Sequence, residues 1–209
     1  MVTTESRLPD DALIAGILGG NKRLFEVIIR RHNQRLYRIG MSVLGNETEV
    51  EDAMQTAYIN AYRHLPQFER RAAFSTWLCR IMLHQCYEQK RKNNLMHRLP
   101  EAQDNLACMK TPENVLAGKE LGAILERAIG SLPEKYRLVF VLREMEDMSV
   151  RETSEALGIE PSNVKVRLNR AKGMLREQLG GYMKNNVYAF HLVKCDRIAA
   201  YVMARLENG

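Results

Sequence analysis

Residues 149–176 read SVRETSEALGIEPSNVKVRLNRAKGMLR. The first part, Ser149 to Leu157, predicts a short helix with Val150, Thr153 and Leu157 turned inward. Gly158 follows where the chain must turn, and a residue without Cβ takes positive φ there at no steric cost. Pro161 suits the first position of a second helix, because its φ is already set. That second helix carries Val164, Leu168, Ala171 and Leu175 on one stripe. Its other faces carry Lys165, Arg167, Asn169, Arg170, Lys172 and Arg176. Two short helices joined by a glycine turn, the second one basic, fit a helix-turn-helix whose recognition helix enters a DNA major groove. Lys165, Val166 and Asn169 lie opposite the apolar stripe and can reach base edges, whereas Arg167, Arg170 and Lys172 flank that face and suit phosphates. The plain alternative for this segment is a solvated basic face on a helical hairpin.

Outward from this segment the hydrophobic period stays helical, so the expected fold is all-α. From Lys22 onward, Phe25, Ile28, Ile29, Leu36, Ile39 and Val43 form one face of a long helix that Gly45-Asn46 stops. Val50, Ala53, Met54, Ala57 and Ala61 mark a second helix ending near Pro66. A third begins near Ser75, a suitable N-cap, and carries Trp77, Leu78, Ile81 and Met82. The apolar run at Val139–Leu142 follows Pro133 and precedes a helical pattern, which predicts a buried helix in place of a strand. Asn93 to Asn114 holds Pro100, Pro112 and no sustained stripe, so it reads as a linker between two bundles. The predicted organisation is therefore a bundle at 8–93, a linker at 94–114, a smaller bundle at 115–180 and an extension at 181–209. In the extension, Leu192, Cys195, Ala199, Val202 and Leu206 recur at helical spacing and predict an amphipathic helix after Gly180-Gly181.

The 209 residues carry a formal net charge of only +6, and its distribution is more informative than its sum. Residues 22–38 hold Lys22, Arg23, Arg30, Arg31, Arg35 and Arg38 against Glu26, a net +5. Residues 45–66 hold Glu47, Glu49, Glu51 and Asp52 against Arg63, a net −3. Residues 76–94 and 160–178 are each net +3. The basic helices are expected to meet nucleic acid, and the acidic one, which phosphate would repel, to meet protein. Phe68, Phe74 and Trp77 cluster around Arg70 and Arg71, a composition suited to stacking unpaired bases, with core packing as the alternative for Phe74 and Trp77.

The ordinary globular composition, with 45% hydrophobic and 27% charged residues, argues against disorder. No apolar run approaches the roughly 20 residues of a membrane span, and no apolar h-region marks a secretory signal. Four scattered cysteines, Cys79, Cys86, Cys108 and Cys195, do not make a disulfide scaffold and fit a reducing compartment. Cys79 and Cys86 are two helical turns apart, too far to share one metal unaided. His191 and Cys195 stand at i, i+4 but supply only two ligands. Cys108 is the thiol expected to be exposed. No nucleotide-binding glycine loop or nucleophile elbow is present, so neither an enzymatic activity nor a cofactor is expected. A free-standing helix-turn-helix repressor and a small metal- or redox-responsive enzyme are the competing readings.

Four stretches together resemble the extracytoplasmic-function (ECF) class of bacterial RNA polymerase sigma factors. EDAMQTAYINAY (51–62) is similar to the acidic-polar helix that binds the polymerase clamp coiled coil. FSTWLCRI (74–81) resembles the class's aromatic F-x-T-W-L-x-R-I segment. LPEKYRLVFVLRE (132–144) resembles the entry to its fourth region, and NVKVRLNRA (163–171) its −35 recognition helix. The resemblance implies a promoter-recognition subunit acting in the cytoplasm. Its partners would be core RNA polymerase (clamp and flap), promoter DNA and an anti-sigma protein, with no small-molecule substrate. It implies core-polymerase contacts at Glu51, Asp52, Gln55, Thr56 and Tyr58, and −10 contacts at Phe68, Arg70, Arg71, Phe74, Trp77, Arg80 and His84. For the −35 element it implies Asn163, Lys165, Val166, Arg167, Asn169, Arg170 and Lys172. Two departures stand out: His84 occupies a position where the class commonly has Asn, and Glu69-Arg70-Arg71 replaces a loop that usually contains Gly.

Overall fold

The computed structural model describes residues 7–96 and 118–186, and every regular element among them is helical. The first bundle comprises α1 (Asp10–Leu18), α2 (Leu24–Val43), α3 (Glu47–His64) and α4 (Phe74–Met96), with a 3-10 turn at Leu65–Gln67 before α4. The second comprises α5 (Gly118–Ser131), α6 (Glu134–Phe140) with a π turn at Val141–Met145, α7 (Val150–Leu157) and α8 (Pro161–Asn186).

Helix α2 is the axis of the first bundle. Its stripe of Ile28, Leu36, Ile39 and Val43 is buried as the periodicity predicts, and His32 continues the stripe at 5% exposure. Asn46 caps α3 by accepting a hydrogen bond from the Glu49 N–H at 3.1 Å. Val50, Ala53, Ala57 and Ala61 then turn onto α2 and α4. Small residues on α3 bring the backbones close, and Gly40 of α2 sits where they meet. A Cβ there would lie 2.6 Å from Val50 Cγ1 and 2.8 Å from Met82 Cε. Helix α4 starts at Phe74, with the Trp77 N–H donating to the Ala73 carbonyl at 3.1 Å. Ser75 therefore lies inside the first turn and does not cap it.

Helix α1 is not marked by the sequence periodicity. It is only nine residues long, yet Leu13, Ile14 and Ile17 are buried. Tertiary pairing anchors it: Asp10 accepts a hydrogen bond from Arg31 at 2.5 Å, and its other oxygen lies 3.1 Å from His32 Nε2. These partners, His32 first, hold the Asp10 carboxyl below its ordinary pKa.

Two boundaries differ from the sequence reading. Helix α4 continues to Met96, so the start of the predicted linker is helical, and α8 runs unbroken through Gly180-Gly181 to Asn186. A glycine costs only about 1 kcal/mol in a helix interior, which an established helix can carry. The remainder of the linker and the amphipathic stripe at 192–206 lie outside the described residues. The bundles also share apolar packing. Leu138, Leu142, Met148 and Ala156 join the core of the first bundle, while Leu132, Tyr136, Ala171 and Leu175 form a separate small core.

Gly40→Ala should cost about 1–3 kcal/mol, because Val50 has no free end to move aside; a lowered urea midpoint with unchanged helical content is the expected result. Asp10→Asn tests the α1 anchor by pH. A carboxyl with a depressed folded-state pKa contributes stability above its unfolded pKa, and loses it as pH falls through the folded value. The difference in urea midpoint between the native chain and Asp10→Asn should be full near about pH 6 and shrink below about pH 4.

Candidate nucleic-acid interface

Helix α7 opens on a complete capping box. The Ser149 hydroxyl accepts from the Glu152 N–H at 3.1 Å, and Glu152 Oε2 accepts from the Ser149 N–H at 2.7 Å. These bonds hold the Glu152 carboxyl below its ordinary pKa. Thr153 and Ala156 face inward, with Val150 and Leu157 half-buried. Gly158 closes the helix at φ 63°, in the left-handed region, and α8 begins at Pro161. The turn between the two helices is thus set by local chemistry. On α8, Val164, Ala171 and Leu175 are buried and Leu168 is half-buried.

The opposite face of α8 is open to solvent: Asn163, Lys165, Val166 and Asn169 are all exposed, Val166 by 49%. An exposed valine between a lysine and an asparagine gives this face apolar as well as hydrogen-bonding reach toward base edges. The flanking cations differ from one another. Arg170 is exposed and donates to the Tyr136 hydroxyl at 3.2 Å. Arg167 is half-buried. Lys172 pairs with Glu144 of the π turn at 2.9 Å, so its ammonium is directed at protein.

On the first bundle, the aromatic residues pack against one another. Phe68 lies 5.5 Å from Phe74 and 5.2 Å from Trp77, and Phe74 lies 5.6 Å from Trp77 (centroid distances). Phe74 is 4% exposed and edge-on to His32, so it has no face free for a base. It supports Phe68 and Trp77, which are half-buried. In the loop between them, Arg70 takes φ 58°, the left-handed conformation that a glycine normally supplies. Arg70 lies 3.8 Å from Asp11, and Arg71 pairs with Glu69. Trp77, Arg80 and His84 follow one face of α4 and line a cavity of about 800 Å³. His84 is exposed, with Gln85 Nε2 3.3 Å from its Nδ1.

Helix α3 turns its acidic side outward: Glu51, Asp52, Gln55 and Thr56 are exposed. Tyr58 differs, being 6% exposed and donating to the Ile29 carbonyl at 3.2 Å. It floors a groove between α2 and α3 lined by Phe25, Ile29, Tyr37, Met54, Ile59 and Tyr62. Ile59, 51% exposed, is the apolar residue of this surface that periodicity passes over, because it stands off the buried stripe. Part of the basic charge of α2 is met by carboxylates of the protein itself. Arg30 pairs with Glu26, Arg31 with Asp10, and Arg35 and Arg38 with Glu146.

Three comparisons bear on these surfaces. The sigma-70 region 2 family matches residues 28–95, and the sigma-70 region 4 family matches residues 122–175. The ECF RNA polymerase sigma factor SigW of Bacillus subtilis is 31% identical over 170 residues, covering 77% of this chain and 91% of SigW. The chain belongs to the ECF RNA polymerase sigma factors. The ECF sigma-E factor of Escherichia coli is 29% identical over 181 residues, covering 79% of this chain and 92% of that factor. Among solved structures, CnrH in complex with the cytosolic domain of CnrY matches at a TM-score of 0.60 and 25% identity, over 81% of this chain and 96% of CnrH. The sigma factor RpoE of Bartonella quintana, solved with the anti-sigma factor NepR, shares the fold at a TM-score of 0.59 and 19% identity, over 75% and 96% of the two chains.

In this sigma factor, region 2 spans α2 to α4 and region 4 spans α5 to the middle of α8. Among the described residues no group of three or more His, Cys, Asp or Glu side chains is placed to hold a metal, and no helix is long and apolar enough to cross a membrane. Cys79 and Cys86 are buried, and burial pushes each thiol up to about 12. Cys108, His191 and Cys195 lie outside the described residues.

Proposed function

We propose that three separate surfaces divide the work of promoter recognition. The exposed side of α3, with Glu51, Asp52, Gln55 and Thr56 beside the apolar groove, docks on the clamp coiled coil of core RNA polymerase, with Tyr58 as its packed floor. The face formed by Phe68, Trp77, Arg80 and His84, with the Arg70-Arg71 loop, captures the melted −10 element. Phe74 holds that face in place from beneath. The outer face of α8, through Lys165, Val166 and Asn169, reads the −35 duplex, while Asn163, Arg167 and Arg170 orient it on the phosphates. Region 4 also meets the polymerase flap. The chain acts in the cytoplasm, where polymerase and template are, and itself performs no catalytic step. An anti-sigma protein covering these surfaces is the expected regulator, as the anti-sigma factor NepR accompanies the sigma factor RpoE of similar fold.

The observation that carries this reading is the pairing, on one chain, of an exposed acidic helix with an exposed recognition helix. A free-standing repressor needs only the second. In vitro transcription decides between them. Core polymerase should initiate at specific promoters only when this protein is added. Asn169→Ala should then lose about 1–3 kcal/mol of discrimination at a single −35 base pair. Tight binding to a palindrome without polymerase, and no initiation, would reject the proposal.

At His84 the hydrogen-bonding pattern depends on tautomer and protonation, unlike that of the more usual asparagine. His84→Asn should therefore change which −10 sequences are used. Run-off transcription on a library of −10 variants measures this, and an unchanged promoter set sinks the idea.

A further inference from the structure

The exposed face of α8 does not end at Asn169. Val166 and Arg170 stand one helical turn apart and share a side, and both are exposed. Beyond Arg170 the surface passes from α8 onto α6, and Tyr136 joins the two. Tyr136 is 7% exposed, and its ring packs in the small core with Leu132, Ala171 and Leu175. A tyrosine so placed needs a partner for its hydroxyl. Arg170 Nη1 supplies it, donating at 3.2 Å. A second cation lies on the same ring: Lys135 Nζ is 5.0 Å from its centroid.

One buried side chain thus seats two exposed cations that come from different helices. A surface lysine or arginine loses rotamer freedom when a ligand orders it. Here the ring face and the hydroxyl oxygen supply part of that order beforehand. Arg170 uses one N–H on the hydroxyl, and a guanidinium carries five in a planar fork. Both positive charges are also left over. Glu134, beside Lys135 in sequence, pairs with Lys90, and Glu144 pairs with Lys172. Among the described residues no ion pair engages Lys135 or Arg170. Their influence is felt at the hydroxyl itself, which Arg170 foremost, and Lys135 with it, holds below its ordinary pKa.

Two unneutralised cations, one with a fork of donors, suit phosphate oxygens. Continuity with Val166 and Asn169 makes the DNA backbone the source of that phosphate. We propose that Lys135 and Arg170, both seated on Tyr136, bind the backbone of the −35 duplex, extending the DNA contact of region 4 from the helix-turn-helix onto α6. The site rests on the reading of α8 as the −35 reader and adds Lys135 as a contact and Tyr136 as a positioning residue. It carries no base information. Its effect is to fix the register in which Lys165, Val166 and Asn169 meet base edges.

The test uses the full-length chain and a short fluorescent duplex of randomised sequence, titrated by anisotropy over a range of potassium chloride. Lys135→Gln and Arg170→Gln should each flatten the slope of log affinity against log salt by about 0.9, as for one phosphate contact. Tyr136→Phe keeps the ring under Lys135 and removes the hydroxyl that holds Arg170. In that background the affinity lost on Arg170→Gln should be about threefold smaller than in the native chain, or less still, while the effect of Lys135→Gln persists. A tyrosine that only supports the core would weaken all variants alike and leave the Arg170→Gln loss unchanged. An unchanged salt slope in Lys135→Gln overturns the site on α6. An equal Arg170→Gln loss in both backgrounds overturns the seat. Either result leaves the −35 reading in place as long as the native chain binds the duplex and supports initiation. A native chain that binds no duplex at any salt overturns that reading and this site together.

Discussion

Helix α2 is enclosed by α1, α3 and α4, and its exposed flank is taken by α6 and the π turn. Its apolar stripe and its arginines do different work. Ile28, Leu36 and Ile39 lose all contact with water and bind the first bundle through non-directional apolar burial. Gly40 lets α3 and α4 come to within the reach of single methyl groups. Arg35 and Arg38, one turn apart on the same helix, then hold Glu146 from the second bundle. A charge so buried is destabilising unless it is paired with good geometry, and here both Glu146 oxygens are paired.

That use of α2 shows why net charge along a segment is a poor map of a surface. Of the +5 at residues 22–38, which already counts Glu26, Asp10 and Glu146 meet a further part, and both are remote in sequence. On α8 the excess of +3 sits on a helix that buries only one stripe and leaves Lys165, Asn169 and Arg170 at the surface. Lys172 is the exception, drawn back to Glu144. The acidic α3 keeps Glu47, Glu51 and Asp52 at the surface.

The helix-turn-helix was legible because its signals are local. Ser149, Glu152, Gly158 and Pro161 act within a few bonds of the backbone groups they satisfy or constrain, so their spacing alone sets the turn. The periodic stripes of α2, α3 and α8 were legible for the same reason: burial at period 3.6 leaves a pattern that does not depend on which partner covers it. Helix α1 left no comparable pattern, since Ala12 to Leu18 is apolar or glycine throughout and marks no one face, and its anchors at Arg31 and His32 are more than twenty residues from Asp10. Phe74 was ambiguous because an aromatic near arginines suits a base or a core equally, and only the packing of Phe68, Trp77 and His32 around it decides.

Sequence alone therefore determined the helical class, the bundle helices, the cap and turn of the reading head, and the family to which those motifs belong. Tertiary structure decided which cations remain free, which aromatics are covered, and that region 4 lies against region 2 through Glu146. The reason is physical. Caps, turns and stripes are short-range and written in neighbouring residues. The fate of a charge or a ring depends on groups brought close only when the chain has folded, as Arg35 and Glu146 are across more than a hundred residues.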